Sequence, residues 1–274
     1  MVDLHLHTTA SDGRCAPQEL VDRAAAAGVT AMAVTDHDTT AAVAEVRAAA
    51  HSRGIEAISG IEITAVESSR DVHILGYFID PQNPQLAGFL ARQRAQRIAR
   101  VKAVGHRLEQ LGLPIDIIPM VAQAHEDGGR SIGRPQIARA MVAAGHVADT
   151  REAFDRWLAT GRPAFVPRAG VPPEEVITIL HGAGGLASLA HPGQTAVDAR
   201  IAAYRLAGLD AIEVYHPDHD AASVARYREL ASRLMLLMTG GSDFHGDPSH
   251  GFEPGSMALP EDAWLRLRAA APHA

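Results

Sequence analysis

The chain has 274 residues, 47% of them hydrophobic, which is enough for one large domain or a domain with an insertion. Its formal net charge of −7 argues against a broad electrostatic grip on long duplex nucleic acid. The first residues do not resemble a signal peptide, no apolar run approaches the ~20 residues that span a bilayer, and the single cysteine fits a reducing compartment, so we expect a cytoplasmic protein without a membrane partner.

Short β-like runs alternate with alanine-rich helical stretches along most of the chain. The predicted strands are Val2–His7, Thr30–Thr35, Ile55–Thr64, Val72–Ile79, Gly185–Ala190, Leu209–Tyr215 and Leu234–Thr239. The predicted helices are Pro17–Ala27, Thr39–Arg53, Pro172–His181, Ala196–Ala207 and Ala221–Arg233. This alternation predicts an α/β fold built on a parallel sheet or barrel.

The alternation stops between residues 86 and 168, where helical periodicity dominates and no strand pattern is present. We interpret residues 86–168 as a helical insertion and residues 1–85 together with 169–274 as the barrel. An insertion placed over the barrel mouth would limit access for large duplexes, so we expect a small substrate.

The first predicted strand has one polar face. In an extended chain Asp3, His5 and His7 share one side, and Leu4 and Leu6 share the other. The His-x-His spacing directs two imidazole rings at one point, which favours joint chelation of a metal ion. We expect Asp3, one step earlier on the same face, to orient one of the rings through a hydrogen bond.

Further ionisable side chains lie in or directly after the later strands. They are Asp36 and His37 after the second strand, Glu62 in the third, His73 in the fourth, His191 after the fifth, Glu213 and His216 at the sixth, and Asp243 and His245 after the seventh. The carboxyl ends of parallel barrel strands meet at one face, where active sites are built. We therefore expect residues from both ends of the chain to converge there.

A converging set of histidines and carboxylates is typical of a metal site. Imidazole and carboxylate together suit zinc, manganese or iron, and the lack of cysteine partners argues against a thiolate site. The set is larger than one ion needs, and a carboxylate such as Glu62 can bridge two ions roughly 3.5–4 Å apart. The sequence therefore predicts two or three divalent metal ions.

Taken together, the motifs resemble those of the polymerase-and-histidinol-phosphatase (PHP) family of metal-dependent phosphoesterases. In chain order they are DLHLHTTASDG, TDHDT, SGIEIT, VHILGYFID, LAHPG, IEVYHP and GGSDFHG. Within that family the chain is most similar to the branch that hydrolyses nucleoside 3′,5′-bisphosphates and trims short RNA from its 5′ end. The resemblance covers nearly the whole chain and implies a distorted (β/α)7 TIM-like barrel with a trinuclear metal cluster.

The resemblance also implies which residues hold each metal. One ion would be held by His5, His7, Glu62 and Asp243, a second by Glu62 and His73, and a third by Asp12, His37 and His245. In such sites His191 lies close to the cluster, as an additional ligand or as a contact to phosphate.

Gln136 is a departure from the family pattern. It lies in SIGRPQIARAMV, where the family usually has a histidine. An amide offers a metal only its carbonyl oxygen, whereas a neutral imidazole is a good ligand for zinc, manganese or iron. We therefore expect the second metal to be weakened or lost, with coordination of a hard ion through the Gln136 oxygen as the alternative.

The expected reaction is hydrolysis of a phosphate monoester by a metal-activated hydroxide, because coordination lowers the pKa of bound water. We expect His191 and Asp243 to be the catalytic residues; either His191 or a metal-bound water would protonate the leaving group. The substrate would be a small phosphorylated molecule of the nucleotide class.

Arginine forks match phosphate geometry, so we expect substrate contacts from Arg130, Arg134 and Arg168, with His216 also at the site. Arg134 is the best placed of the arginines because it lies on the insertion. A second phosphate-binding subsite would explain a preference for a bisphosphate.

Two other functions stay open at this point. The first is another small-molecule phosphatase, of the histidinol-phosphate type, or a carbon–nitrogen hydrolase on a similar barrel. The second is a metal-binding module without catalysis, which only Gln136 favours.

Overall fold

Seven strands form a single sheet whose spatial order follows the chain. The computed structural model describes residues 1–126, 129–195, 197–247 and 252–272. The strands are β1 (Val2–Leu6), β2 (Ala31–Val34), β3 (Glu56–Glu67), β4 (Arg70–Tyr77), β5 (Leu186–Leu189), β6 (Ala211–Tyr215) and β7 (Leu237–Gly240). A parallel bridge between Leu6 and Phe244 joins β1 to the segment after β7. The sheet thereby curls into a nearly closed barrel, which confirms the predicted fold class.

Eleven helices accompany the strands in the described part of the chain. They are α1 (Pro17–Ala26), α2 (Val43–Ser52), α3 (Pro84–Gln110), α4 (Ile118–Glu126), α5 (Arg134–Ala143), α6 (Thr150–Ala153), α7 (Pro173–Gly182), α8 (Pro192–Thr195), α9 (Ile201–Leu206), α10 (Ala221–Leu234) and α11 (Glu261–Ala269). A proline opens α1, α3 and α7, where its missing N–H has no helical partner to lose. None of the described helices is long and apolar enough to cross a bilayer.

Several predicted boundaries are wrong. α2 begins at Val43 rather than Thr39, and α11 was not predicted. The single helix expected over residues 196–207 is instead a short 3₁₀ turn over Asp198–Arg200 followed by α9, while Ala196 lies outside the described residues. β7 starts later than predicted because α10 continues to Leu234 and ends at Met235, whose φ of 52° is left-handed.

β4 runs antiparallel to both of its neighbours, so the expectation of a wholly parallel barrel is wrong for this strand. Ser68 and Ser69, with φ of 49° and 66°, form the two-residue turn between β3 and β4. Left-handed residues at both positions suit a hairpin, whereas a parallel crossover needs about a dozen residues. As a result β4 starts where β3 ends, and His73 pairs with Thr64. Both lie near the end of the barrel at which the parallel strands finish, which we call the functional end.

The opposite end of the barrel is closed by apolar packing. Trp264 and Leu267 of α11 pack in one hydrophobic cluster with Leu4, Leu75 and Tyr77 of the strands. The Tyr77 hydroxyl donates a hydrogen bond of 3.0 Å to the Leu4 carbonyl, so this large ring is buried without an unpaired polar atom. The polar side chains therefore gather at the other end.

The helices between residues 84 and 158 have a hydrophobic cluster of their own. Its fully or almost fully buried members include Val101, Leu108, Ile137, Met141 and Leu158. Within residues 86–168 the described part contains helices and no strand. A separate core is typical of a segment that packs as a unit.

Candidate metal centre

At the functional end of the barrel, the structure brings together every sequence-predicted metal ligand except Gln136. Their potential ligand atoms fall into overlapping groups, within each of which the atoms lie within 4.8 Å of one another. The members are His5, His7, Asp12, His37, Glu62, His73, His191, Asp243 and His245. The convergence follows from the barrel, because six of the strands deliver their carboxyl ends here and β4 delivers its start.

His5 of β1 and His7, which directly follows that strand, share the same pair of acids. The Nε2 atoms of His5 and His7 each lie 3.3 Å from Glu62 Oε2 and 3.2 Å from Asp243 Oδ1. Both rings are completely buried, and Glu62 is only 1% exposed. Four side chains thus surround one point from which solvent is largely excluded.

These contacts fit a shared cation better than they fit hydrogen bonds. Neither Nε2 atom has a hydrogen-bond partner among the described residues, although both are buried. Two ligands that each lie about 2.1 Å from one ion, at angles of roughly 90–110°, are about 3.0–3.4 Å apart. The observed 3.2–3.3 Å separations match that range. The residues present therefore fit a divalent metal.

Glu62 links this group to a second one. Its Oε2 faces His5 and His7 and also lies 3.1 Å from His37 Nδ1, whereas its Oε1 lies 2.8 Å from His73 Nδ1 and 3.1 Å from His191 Nε2. One carboxylate thus presents its two oxygens to different sets of imidazoles. This is the arrangement of a bridging ligand between two metal ions.

A third group forms around Asp12 at the rim of the barrel. Asp12 Oδ1 lies 3.3 Å from His245 Nε2, and Asp12 Oδ2 lies 3.6 Å from His37 Nε2. His37 therefore faces Glu62 through one ring nitrogen and Asp12 through the other. His7 Nδ1, at 3.8 Å from Asp12 Oδ1, completes the group.

The charges of the cluster suit cation binding. Burial opposes ionisation of Glu62, but the neighbouring histidines, His37 first, hold its pKa well below the usual value. Burial disfavours charge on His7 as well, yet the adjacent carboxylates of Asp243 and Glu62 raise its pKa to about 10. Burial prevails at His37 and lowers its pKa to about 3. The carboxylate is therefore ionised at neutral pH, the form that binds metal, and metal binding must displace a proton from His7.

Glu213 orients one ligand and supports another. His5 Nδ1 lies 2.9 Å from Glu213 Oε1, and because an ionised carboxylate only accepts, the ring nitrogen donates. In the neutral ring, the form that binds metal, His5 Nε2 then carries no proton and faces Glu62 and Asp243. Glu213 Oε2 accepts from the main-chain N–H of His191 at 2.7 Å. Sequence reasoning placed Glu213 at a strand end but gave it no role.

Asp3 does not orient a ring, contrary to expectation. Its oxygens accept from the main-chain N–H groups of His5 and Ser242, from the Ser242 hydroxyl and from Gly255. Asp3 therefore ties β1 to the segment that carries Asp243. Along the pleat, its carboxylate reaches backbone rather than the imidazole two residues away.

The loop that carries Asp12 is held by Asp36, which accepts hydrogen bonds from the Thr8 N–H, the Thr8 hydroxyl and the Ser11 hydroxyl at 2.6–2.8 Å. Gln136 of α5 holds the same loop from another side. Its Nε2 donates to the Ser11 carbonyl at 2.7 Å, and its Oε1 accepts from the Gly133 N–H at 2.9 Å. The oxygen that a metal would need already has this partner.

The predicted phosphate-binding arginines each have a protein partner in the structure. Arg134 Nη2 lies 3.1 Å from Asp71, and Arg168 lies 3.5 Å from Asp38 and 3.7 Å from Asp71. Arg130 donates to Gln123 at 3.4 Å. Arg134 and Arg168 are thus engaged by carboxylates, in ion pairs that sequence reasoning did not anticipate.

A cavity of about 740 Å³ opens next to the metal centre. Asp12, Asp243 and His245 line its inner wall, and Arg139 and Phe154 line another side. None of Arg130, Arg134 and Arg168 is among its lining residues. The volume is within the range of small-ligand sites.

His216, which we expected to contact substrate, lies in the cavity wall and contacts the cluster. Its Nδ1 accepts from the Asp218 N–H at 3.1 Å, so its Nε2 carries the proton. That Nε2 lies 3.3 Å from Asp243 Oδ2. In the structure His216 therefore orients the side of Asp243 that faces away from His5 and His7.

Comparisons with known proteins agree with this geometry. The profile of the PHP domain matches residues 3–103, which supply His5, His7, Asp12, His37, Glu62 and His73. The chain is 35% identical over 259 residues to a 3′,5′-nucleoside bisphosphate phosphatase of Chromobacterium violaceum, covering 93% of this chain and 90% of the relative. It is 36% identical over 250 residues to the 5′-3′ exoribonuclease Rnm of Escherichia coli, covering 89% and 84%.

Among solved structures, the chain is similar to a protein of Bifidobacterium adolescentis assigned as a metal-dependent phosphoesterase. The TM-score is 0.88 at 35% sequence identity, and the similarity covers 98% of this chain and 95% of that one. The likeness therefore includes both the barrel and the helices between residues 86 and 168.

Proposed function

This chain belongs to the PHP family of metal-dependent phosphoesterases, and from that premise we propose that it hydrolyses a phosphate monoester of nucleoside 3′,5′-bisphosphates or of short 5′-phosphorylated oligonucleotides. The observation that carries the proposal is the position of Glu62. Its two oxygens face separate sets of histidines beneath a cavity of nucleotide size. The relatives named above are a 3′,5′-nucleoside bisphosphate phosphatase and a 5′-3′ exoribonuclease, which supports these two substrate classes.

We propose two or three divalent ions, manganese, iron or zinc, as the cofactors. His5, His7, Glu62 and Asp243 would hold one, Asp12, His37 and His245 another, and Glu62 with His73 a third. When bound, such ions lower the pKa of a water molecule and offset charge on the phosphoryl oxygens. Gln136 remains our candidate for the weak point of the third site, because its oxygen already accepts a hydrogen bond.

His191 is our candidate for protonating the leaving group. It is 5% exposed, and its Nδ1 has no hydrogen-bond partner among the described residues. A proton on that nitrogen is not committed to another protein group. The main-chain N–H of His191 is fixed by Glu213, so the ring is held next to Glu62 and beside the proposed catalytic Asp243.

Arg134 and Arg168 support the proposal through charge. Together with Arg97 and Arg100 they pair with two carboxylates among the described residues, Asp38 and Asp71. The surplus is positive and lies beside the cluster, where it attracts a phosphorylated substrate over several ångströms. Arg130 stays a proposed contact on the same side.

The helices of residues 86–168 are proposed to cover the barrel mouth. In support, the cavity has walls from both parts, with Pro135 and Phe154 on one side and His216 and Asp243 on the other. A covered mouth favours nucleotides and short single-stranded ends over long duplexes.

The test is phosphate release by purified protein supplied with manganese, from adenosine 3′,5′-bisphosphate, AMP, histidinol phosphate and a short 5′-phosphorylated RNA, with bound metal counted in the same samples. We expect the bisphosphate or the RNA to be hydrolysed fastest, with loss of activity in a chelator and recovery on adding metal. Activity on histidinol phosphate alone would move the chain to another phosphatase branch. Bound metal without turnover of any substrate would support a non-catalytic module.

A further inference from the structure

Arg139 is the partly buried cation of the substrate cavity. Among the described lining residues the arginines are Arg139 and Arg151, and the Arg151 side chain is 88% exposed at the rim. The wall beyond the metal ligands otherwise contains the carboxylates of Asp149, Asp155, Asp218 and Asp247, the last of which is paired with Arg14 at 2.6 Å. A phosphate group inside this cavity therefore has one guanidinium near the metal centre with which to pair.

The guanidinium of Arg139 is held by a main-chain carbonyl, and the charges of Asp12 and Asp247 act on it without forming an ion pair. Its Nη1 donates to the Asp12 main-chain carbonyl at 3.1 Å, and no carboxylate oxygen of the described residues lies within 4.0 Å of it in an ion pair. Arg134 and Arg168 differ, since each has carboxylate partners and neither lines the cavity. An arginine has five N–H donors, so four remain available after the bond to Asp12.

Anchoring of the Asp12 loop does not require Arg139. Gln136, one helical turn earlier on α5, already binds the adjacent Ser11 carbonyl, and Asp36 binds the loop from the barrel. The carboxylate of Asp12 is directed at His245 and His37, whereas Arg139 contacts its main-chain oxygen. The guanidinium therefore lies beside the candidate metal ligands without being part of them.

We propose that Arg139 binds the phosphate group that is not hydrolysed and thereby gives the enzyme its preference for a substrate with two phosphates. This inference rests on the proposed function. A substrate whose reacting phosphate meets the metal ligands has its second phosphate elsewhere in the same cavity, where Arg139 offers a planar fork that matches phosphate oxygens. A monophosphate has no group for this contact.

The test compares Arg139→Gln and Arg139→Lys with wild type on adenosine 3′,5′-bisphosphate and on AMP. For Arg139→Gln we expect kcat/KM on the bisphosphate to fall about 10- to 100-fold, the effect of losing a hydrogen-bonded charge partner. We expect kcat/KM on AMP to change by less than about threefold, because that substrate does not use the contact. Arg139→Lys should lie between, since it keeps the charge and loses the fork.

The matched control is Arg205→Gln. Arg205 also donates to a single main-chain carbonyl, that of Leu234, but it does not line the cavity. Its activity on both substrates should equal that of wild type. Thermal unfolding and metal content are measured for every variant, so that a folding defect is seen directly.

Equal losses on both substrates in the Arg139 variants would overturn the inference. If metal content also fell, Arg139 would be a clamp on the Asp12 loop; if it did not, Arg139 would bind the reacting phosphate. If the wild type hydrolyses neither of these substrates nor the 5′-phosphorylated RNA, the proposed function fails. In that case, or if AMP is not hydrolysed, binding of adenosine 3′,5′-bisphosphate by calorimetry decides the inference separately. Weaker binding in Arg139→Gln than in wild type would support it, and equal or absent binding in both would overturn it.

Discussion

Replacing Glu213 with glutamine tests whether the metal centre depends on a carboxylate that does not face the metals. Glu213 is fully buried and accepts from His5 Nδ1 at 2.9 Å and from the His191 N–H at 2.7 Å. Both partners are donors, so an amide can satisfy one of them only and must turn its NH2 group towards the other. His5 then loses the hydrogen bond that leaves its Nε2 free to bind metal.

The structure sets the size of the effect. A lost hydrogen bond to a buried charged group costs about 1.5–3 kcal/mol, which corresponds to about 10- to 100-fold in a binding constant. The same range applies to partners that orient metal-ligating histidines. We therefore expect Glu213→Gln to bind its tightest metal about 10- to 100-fold more weakly than wild type.

The assay is titration of metal-free protein with zinc or manganese in competition with a chromogenic chelator, with circular dichroism to establish that each protein is folded. Glu56 provides the control, because it lies on the exposed start of β3 and pairs with Arg268 at 3.2 Å. Glu56→Gln should bind metal as wild type does. A folded Glu213→Gln protein with wild-type metal affinity would refute the reasoning.

Three further predictions follow from the geometry. Glu62→Gln should lose about one bound ion or more per chain by elemental analysis, since a bridging ligand is removed; unchanged content would count against bridging. Gln136→Ala should lower the free energy of unfolding by about 1–2 kcal/mol through loss of two hydrogen bonds, with metal content unchanged; a drop in bound metal would instead identify Gln136 as a ligand. The hydrogen bond and charge of Asp210 raise the pKa of His181 above 6.5, so the stability it adds is full below that value and disappears as pH rises through the raised pKa. Because His181 is 39% exposed, urea unfolding of His181→Gln should show a deficit of only about 0.5 kcal/mol near pH 5 and none near pH 9, and an equal deficit at both would exclude the ion pair.

The strand periodicity of the sequence was sufficient to predict the barrel and the meeting of distant histidines. It failed at β4, where the missing step was loop length: residues 65–71 are too few for a parallel crossover. The sequence therefore contained the signal for the β3–β4 hairpin. The error did not displace His73 from the site, because reversing the strand brings its first half to the functional end of the barrel.

The partners of the ligands were harder to predict, since they come from across the barrel. Asp3 is two residues from His5, but the group that orients His5 is Glu213 on β6, which is not a neighbour of β1 in the sheet. Which acid meets which ring depends on how the sheet closes, and one sequence does not specify that. The arginines raise the same difficulty: spacing alone did not reveal that Asp71 engages Arg134 whereas Arg139 lines the cavity.

The partners of the buried acids distinguish structural carboxylates from metal ligands. Asp3 and Asp36 accept several hydrogen bonds from N–H and hydroxyl donors, and burial nevertheless raises the pKa of each. Glu62 and Asp243 instead face imidazole nitrogens, several of which have no hydrogen-bond partner among the described residues. The neighbouring histidines hold the pKa of Glu62 and the pKa of Asp243 well below their usual values, although burial opposes this. A buried acid that neutral donors already satisfy gains little from a cation, whereas one whose oxygens converge with unpartnered ring nitrogens gains a great deal. By this criterion Asp3 and Asp36 hold the backbone of the site, and Glu62 and Asp243 are the acids that a metal ion would complete.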